Sequence, residues 1–164
     1  MDDEAIRLAG VIGPEQAVDG EGLGCVSFET ALVRRVVPGA GDIDELGHVN
    51  NVVYLRWVQD IAITHWHRVA PPEMIASDIW VALKHTIEYR DPILPGETAE
   101  IRTWLGRVHG PRFDRHVDIR KPGARRYSAR ATTEWCRIDR GTRRPKRIGD
   151  SVLETFGLTA LDPG

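Results

Sequence analysis

The chain has 164 residues, of which 41% are hydrophobic and 28% charged, as expected for one globular domain with a core of ordinary size. Its 22 basic and 24 acidic side chains give a formal net charge of -2, so no positive excess indicates nucleic acid or a membrane surface as a partner. The acidic start lacks the features of a secretory leader, and no run approaches the roughly 20 apolar residues of a membrane span, so a cytoplasmic protein is expected.

Residues 1–24 are expected to form a loosely held acidic extension. They contain six acids against one arginine, Arg7, and show no sustained period. Residues 25–150 are predicted to form the folded domain, and residues 151–164 a C-terminal tail. Cys25 and Cys136 have no metal-type partners nearby in the sequence, so reduced, buried thiols are expected.

A strand and a long helix are predicted first within the domain. Residues 25–37 are rich in β-branched side chains and end at a Pro-Gly pair, which is typical of a strand followed by a breaker. After a polar loop, residues 51–70 carry apolar side chains at helical intervals until a Pro-Pro pair prevents continuation. Asn50 can cap this helix by accepting a backbone N–H. The apolar positions include Val52, Leu55, Val58, Ala62 and Trp66.

The period changes to two after the helix, which predicts four further strands over residues 79–90, 97–108, 112–120 and 124–139. Five strands with one helix and no βαβ alternation indicate the α+β class, with one antiparallel sheet curled around the helix. The predicted inward positions are Val81, Leu83, His85, Ile87 and Tyr89 in the second strand, Ala99, Ile101, Thr103 and Leu105 in the third, and Tyr127, Ala129, Ala131, Thr133 and Trp135 in the last.

The polar loop before the helix, GDIDELGHVN, carries the residues best suited to chemistry. A helix N-terminus offers unpaired backbone N–H groups and a positive dipole end, which stabilise a developing negative charge. Asp44 needs no activation, because an aspartate with an ordinary pKa is ionised at neutral pH. A carboxylate beside an oxyanion site suits acyl transfer from a thioester. The same residue types also build ordinary loops and helix caps, so a purely structural interpretation stands beside this one.

Residues 42–57, DIDELGHVNNVVYLRW, resemble the signature of the hotdog-fold thioesterases, in the branch that contains 4-hydroxybenzoyl-CoA thioesterases and plant acyl-ACP thioesterases. The resemblance covers roughly residues 28–148. It implies the hotdog fold, a five-stranded antiparallel sheet wrapped around one central helix. It also implies hydrolysis of a thioester carried by CoA or acyl carrier protein, no metal or organic cofactor, and a homodimer or homotetramer with the acyl pocket at the subunit interface.

The resemblance also implies roles for single residues. The second acid of the family's D-x-D pair falls on Asp44, the catalytic carboxylate, while Asp42 shapes the loop. The N–H that polarises the thioester carbonyl falls on Asn51. His48 matches a histidine of the plant pattern, but Leu46 stands where the plant enzymes have asparagine, so His48 either assists catalysis or orients the loop.

Three further residues, Asn50, Tyr54 and His85, are predicted to contact the substrate, although Asn50 also serves as a cap and His85 also suits a hydrogen-bonded core histidine. His65 and His67 are two apart on a helix and point to different faces, so no zinc site is expected. Two other functions remain open: a hotdog hydratase or dehydratase acting on the same carrier, and a binding module that holds acyl-CoA without turnover.

Overall fold

The structure of the protein, a computed structural model, describes residues 18–159 and has six strands. The strands are β1 (Val18–Asp19), β2 (Leu32–Val36), β3 (Asp78–Tyr89), β4 (Ala99–His109), β5 (Arg112–Arg120) and β6 (Ala129–Asp139). The helices are α1 (Asn51–Val69), α2 (Pro72–Ser77) and α3 (Asp150–Thr155), and a 3-10 turn spans Ala40–Asp42. All strand pairs are antiparallel in the order β1-β2-β4-β5-β6-β3, and the sheet packs around α1, so the predicted α+β class is confirmed.

Helix α1 is the predicted long helix, and the chemistry of its ends explains its length. The side-chain oxygen of Asn50 accepts the N–H of Val52 at 3.0 Å, which is the predicted cap. Pro71 and Pro72 follow the helix, and Pro72 then begins α2 at a position where its missing N–H costs nothing. Of the predicted apolar positions, Val58, Ala62 and Trp66 are buried, Leu55 is half-buried and Val52, in the first turn, is exposed.

The inward faces of β4 and β6 follow the predicted alternation. Ala99, Ile101, Thr103 and Leu105 of β4 are all buried, as are Ala129, Ala131, Thr133 and Trp135 of β6. These faces pack on α1 in two clusters, one around Tyr54 and Trp57 in the first half of the helix and one around Trp66 in the second half. Each large apolar side chain that is fully buried stabilises the fold by about 1.5–3 kcal/mol.

Strand β3 departs from the predicted alternation. Its pairing with β6 shifts register after Ala82, which makes Leu83 an extra residue in a β-bulge. Ala82 packs on the core before the bulge and Ile87 after it, whereas Val81 and Leu83 are 42% and 48% exposed. The prediction that Val81 and Leu83 face inward with Ile87 is therefore wrong, because one extra residue exchanges the two faces of a strand.

The N-terminal edge of the sheet also differs from the prediction. Strand β2 begins at Leu32 rather than at residue 25, because the hydroxyls of Ser27 and Thr30 accept each other's backbone N–H at 3.3 and 3.0 Å and hold a turn. The short strand β1 pairs with β2, so the sheet has six strands rather than five. Two residues are too few to show a period in the sequence.

The described parts of both predicted terminal segments contact the domain. Residues 1–17 and 160–164 lie outside the described residues. Gly22, in the predicted extension, has a positive φ of 83°, and its carbonyl oxygen lies 2.6 Å from Nε2 of His65. Val152 and Phe156, in or beside α3, are buried. Cys25 and Cys136 are free and buried, as predicted. Among residues 18–159, no helix combines the length and apolarity needed to cross a membrane.

Candidate active site

The loop before α1 is held in shape by Asp42. One oxygen of its carboxylate accepts the N–H of Gly39 at 2.9 Å, and the other accepts Nη2 of Arg56 at 2.7 Å. Its backbone oxygen accepts the N–H of Asn50 at 2.8 Å, which ties the start of the loop to the helix cap. These contacts agree with the predicted loop-shaping role of Asp42.

Asp44 is half-buried at the tip of this loop and is oriented by backbone donors. Its Oδ1 accepts the N–H of Leu46 at 2.9 Å and that of His48 at 3.4 Å. The N–H of Asp44 donates in turn to the His48 carbonyl at 2.8 Å, and Gly47 closes the turn with a φ of 79°, which favours glycine. Among the described residues, Oδ2 has no hydrogen-bond partner. The carboxylate is thus fixed through one oxygen and available through the other.

The start of α1 leaves one donor unused. Asn50 takes two N–H groups, that of Val52 through its side chain at 3.0 Å and that of Val53 through its carbonyl at 2.9 Å. Within residues 18–159 the N–H of Asn51, at the first helical position, has no acceptor. This N–H lies at the positive end of the helix dipole and is able to bind an anionic oxygen.

A cleft of about 420 Å³ joins these groups. The structure brings together five of the predicted site residues, because Asp44, His48, Asn50, Asn51 and Tyr54 all line it. The remaining lining residues are Leu46, Val49, Tyr89, Arg90, Pro92 and Ser128.

Tyr54 and Tyr89 form one wall of the cleft, with ring centroids 5.6 Å apart. The Tyr54 hydroxyl accepts the N–H of Ile93 at 3.1 Å, and desolvation raises its pKa, so Tyr54 stays neutral. The Tyr89 hydroxyl donates to the carbonyl of Asn51 at 3.1 Å and braces the helix start from β3. The sequence predicted only that Tyr89 lies on the inward face of its strand. Its place at the end of that strand is the feature of the sequence that could have indicated a cleft residue.

Arg90 and Ser128 are site residues that sequence reasoning missed. They meet across two strand ends, where the N–H of Arg90 donates to the Ser128 carbonyl at 2.9 Å. Ser128 is 2% exposed and its hydroxyl has no partner among the described residues. The two residues are far apart in the chain, so no local pattern brings them together.

Two histidines are placed differently by the structure. His48 lines the cleft, and its imidazole has no hydrogen-bond partner among the described residues, since the loop contacts of His48 are made by its backbone. His85 is outside the cleft lining. Its Nδ1 lies 2.8 Å from Oγ1 of Thr133, and burial lowers its pKa. His85 is thus half-buried and hydrogen-bonded outside this cleft, and its contact with substrate stays a prediction.

One cluster of possible metal ligands lies elsewhere on the sheet. Ligand atoms of His109 in β4, Asp114 in β5 and Glu134 in β6 are within 4.8 Å of one another. Glu134 already pairs with Arg112 at 3.1 Å. His65, in contrast, is wholly buried and bonded to Gly22 and Arg115.

Sequence comparison assigns most of the chain to one family. A family model of the thioesterase-like superfamily matches residues 38–156, which include the loop, α1 and the strands that line the cleft. Among curated proteins, no sequence matches this chain.

Solved structures resemble the chain at low sequence identity. A 1,4-dihydroxy-2-naphthoyl-CoA thioesterase from Synechocystis superposes with a TM-score of 0.67 at 14% identity, over 77% of this chain and 95% of that one. A Thermus thermophilus thioesterase complexed with coenzyme A and Zn has a TM-score of 0.66 at 21% identity, over 76% of this chain and 90% of that one. A 12:0-ACP thioesterase from Umbellularia californica has a TM-score of 0.68 at 18% identity, over 80% of this chain and 54% of that one. These likenesses show the hotdog fold.

Proposed function

The chain belongs to the thioesterase-like superfamily and is a thioester hydrolase, and from that premise we propose that it cleaves acyl-CoA to the free acid and CoA. Asp44 is the proposed catalytic carboxylate and the N–H of Asn51 the proposed oxyanion donor. Asn50, Tyr54 and His48 contribute the cap and the walls of the cleft that surround the thioester.

The observation that supports this proposal most is that a carboxylate oxygen and a backbone N–H, both without partners among the described residues, belong to residues of one cleft. Asp44 has one carboxylate oxygen held by two backbone donors and the other without a partner among the described residues. The N–H of Asn51 in the same cleft likewise has no acceptor there. Acyl transfer needs these two functions, a base or nucleophile on the carbonyl carbon and a donor for the oxygen that becomes negative.

Two routes follow from this arrangement. In the first, Asp44 takes a proton from water as the water oxygen adds to the carbonyl carbon, and the tetrahedral oxyanion binds the N–H of Asn51 before the C–S bond breaks and the thiolate leaves. In the second, the Asp44 oxygen adds to the carbonyl carbon and displaces the thiolate, and water then attacks the Asp44 carboxyl carbon of the mixed anhydride, which releases the acid and leaves a water oxygen in Asp44. Single turnover in ¹⁸O water separates the routes, because only the second leaves label in Asp44.

Two likenesses support the choice of carrier. One similar structure is a thioesterase complexed with coenzyme A, and another is an acyl-ACP thioesterase. Arg90 is exposed and lines the cleft, and its Nε donates to the Tyr127 hydroxyl at 3.2 Å. Arginine binds phosphate well, so Arg90 is the proposed contact for the phosphates of either carrier.

We also propose that the protein is a homodimer or homotetramer. The sheet ends at β3, whose outer edge is unpaired within residues 18–159. A long edge strand with exposed apolar side chains is stable in solution when another chain covers it. A second copy of this chain supplies a matching edge.

Thiol release tests the reaction. Purified protein is given a panel of aliphatic and aromatic acyl-CoAs, and free CoA is followed with a chromogenic disulfide. We expect Asp44→Asn to lower the rate by about two orders of magnitude or more, because the amide neither takes a proton nor attacks the carbonyl. Glu45→Gln is the matched control, since the neighbouring acid is exposed, and it should keep the wild-type rate.

Three outcomes would contradict the proposal. Full thiol release by Asp44→Asn would remove Asp44 from the reaction. Hydration of an enoyl-CoA without thiol release would instead indicate a hydratase. Saturable acyl-CoA binding with no turnover of any substrate would indicate a binding module.

A further inference from the structure

A second cavity, of about 210 Å³, lies at the other end of α1. It is lined by the second half of α1, by α2, by the first part of β3, by β5 and β6, and by Phe156 after α3. Aromatic rings dominate its wall: Trp66, Trp80, Phe113, Trp135 and Phe156. The residues that line it and the residues that line the Asp44 cleft form two sets with no member in common. The cavity is therefore separate from the Asp44 cleft of the same chain.

A buried cation lines this otherwise aromatic cavity. Arg115 is 2% exposed, and its Nη1 donates to Nδ1 of His65 at 2.8 Å and to Oγ1 of Thr103 at 3.1 Å. Both partners are neutral, and no carboxylate pairs with Arg115 among the described residues. Desolvation lowers its pKa to about 9, so the guanidinium remains charged at neutral pH.

Arg115 also has an unused donor, because its Nε is buried without an acceptor in residues 18–159. An unpaired buried charge is costly, and proteins seldom keep one without a partner or a ligand.

The other polar groups around the cavity do not neutralise Arg115. Asp78 also lines the cavity, but its carboxylate is already bound by Arg137 at 2.6 Å and by Lys146 at 3.2 Å, so it does not pair with Arg115. The indole N–H groups of Trp80 and Trp135 are buried and lack acceptors among the described residues. The buried side-chain atoms of the lining residues that lack a partner among residues 18–159 are thus all donors, which favours an anion over a cation as the ligand.

We propose that this cavity binds a small monocarboxylate whose apolar body is about the size of one ring. The carboxylate pairs with the guanidinium of Arg115, and the ring packs among the tryptophans and phenylalanines. A cavity of about 150 Å³ is enough to hold benzene, so 210 Å³ accommodates one ring and a carboxylate. The lining also includes the exposed residues Gln59 and Arg140, and the positive charge of Arg140 adds to the attraction for an anion.

Isothermal titration calorimetry of the wild-type protein with benzoate and benzamide tests this site. The two probes have nearly the same shape, but only benzoate carries the negative charge that would pair with the Arg115 guanidinium. We expect saturable 1:1 binding of benzoate, at least about tenfold tighter than that of benzamide. Absence of benzoate binding, or equal affinity for the two probes, overturns the proposal.

Variants locate the binding site. Arg115→Gln is expected to weaken benzoate binding by at least about tenfold. Because Arg115 belongs to a buried network that folding needs, Ile63→Trp provides a second test by filling the cavity from the half-buried face of α1. Val37→Trp, at an exposed loop position, is the matched control and should bind like wild type. Unchanged binding by folded Ile63→Trp contradicts the assignment.

Asp44→Asn distinguishes this site from the proposed active site. We expect it to keep full benzoate affinity, because Asp44 does not line the cavity. Loss of binding in Asp44→Asn would place benzoate in the Asp44 cleft and refute the proposal. Calorimetry needs no turnover, so the inference stands or falls independently of the proposed hydrolase reaction.

Discussion

The proposed oxyanion donor is a backbone group, and the position of Asn51 allows it to be removed selectively. Proline lacks an N–H but is favoured at the first position of a helix, where no intrahelical bond is lost. It also requires an extended residue before it, and Asn50 already has a φ of -61° and a ψ of 139°. Asn51→Pro therefore deletes the donor while keeping the cap.

We expect Asn51→Pro to lower kcat for acyl-CoA hydrolysis by about 10²–10³, the usual effect of losing one oxyanion donor. Its urea unfolding midpoint should remain near that of wild type. Asn51→Ala is the control, because it removes the exposed side chain and keeps the N–H, and it should retain activity. Equal rates for the proline and alanine variants would rule out the Asn51 N–H as the donor.

At the scale of single residues, the sequence predicts those contacts that join near neighbours in the chain. The cap at Asn50 and the turn that orients Asp44 use groups no more than four residues apart, so their spacing is visible in the sequence. Ser128 and Tyr89 reach the same cleft from distant strands. Their positions depend on strand register, which no short motif contains.

Strand β3 is the element whose behaviour depends most on the bulge at Leu83. The bulge turns Val81 and Leu83 outward at the edge of the sheet, where they are exposed in the isolated chain. An edge strand with apolar side chains pairs readily with another strand, and a lysine there opposes pairing by adding charge that resists desolvation.

Sedimentation velocity tests this edge as a subunit contact. We expect the wild-type protein to sediment as a dimer or tetramer and Val81→Lys to shift toward smaller species. Val37→Lys places the same change at a site that is 60% exposed and follows β2 on the other side of the sheet, and it should leave the assembly intact. Equal sedimentation of the two variants would mean that this edge is not the contact.

His65 connects the stability of the whole molecule to pH. It is wholly buried, and its Nδ1 accepts a hydrogen bond from Arg115, which has no acceptor to offer, so Nε2 carries the proton and donates to the Gly22 carbonyl. Desolvation, with a further contribution from the charge of Arg115, lowers the His65 pKa from 6.5 to about 3. The folded state therefore requires the neutral imidazole.

We expect acid to destabilise the protein through His65. Below pH 6.5 the unfolded chain binds a proton that the folded chain excludes, so stability is complete above that value and falls toward pH 3. The loss should approach about 1.4 kcal/mol per pH unit within that window, measured as the free energy of unfolding in urea.

His65→Gln should reduce this slope, whereas His67→Gln, a half-buried neighbour on α1, should keep it. Burial also lowers the pKa of His85 and of His116, so part of the slope remains in every variant. Identical slopes for the two glutamine variants would show that His65 does not contribute to the change of the unfolding free energy with pH.

The sequence by itself determined the central helix, its cap, the alternation of β4 and β6 and the loop that holds Asp44, because each depends on periodicity or on bonds between near neighbours. Only the tertiary structure decided the outward turn of Val81 and Leu83, the contact of Gly22 with His65, and the cavity that Arg115 lines. Those features depend on which strands pair, in which register, and on how much water remains around each charge. The physical reason is that burial and register are properties of the assembled sheet and helix.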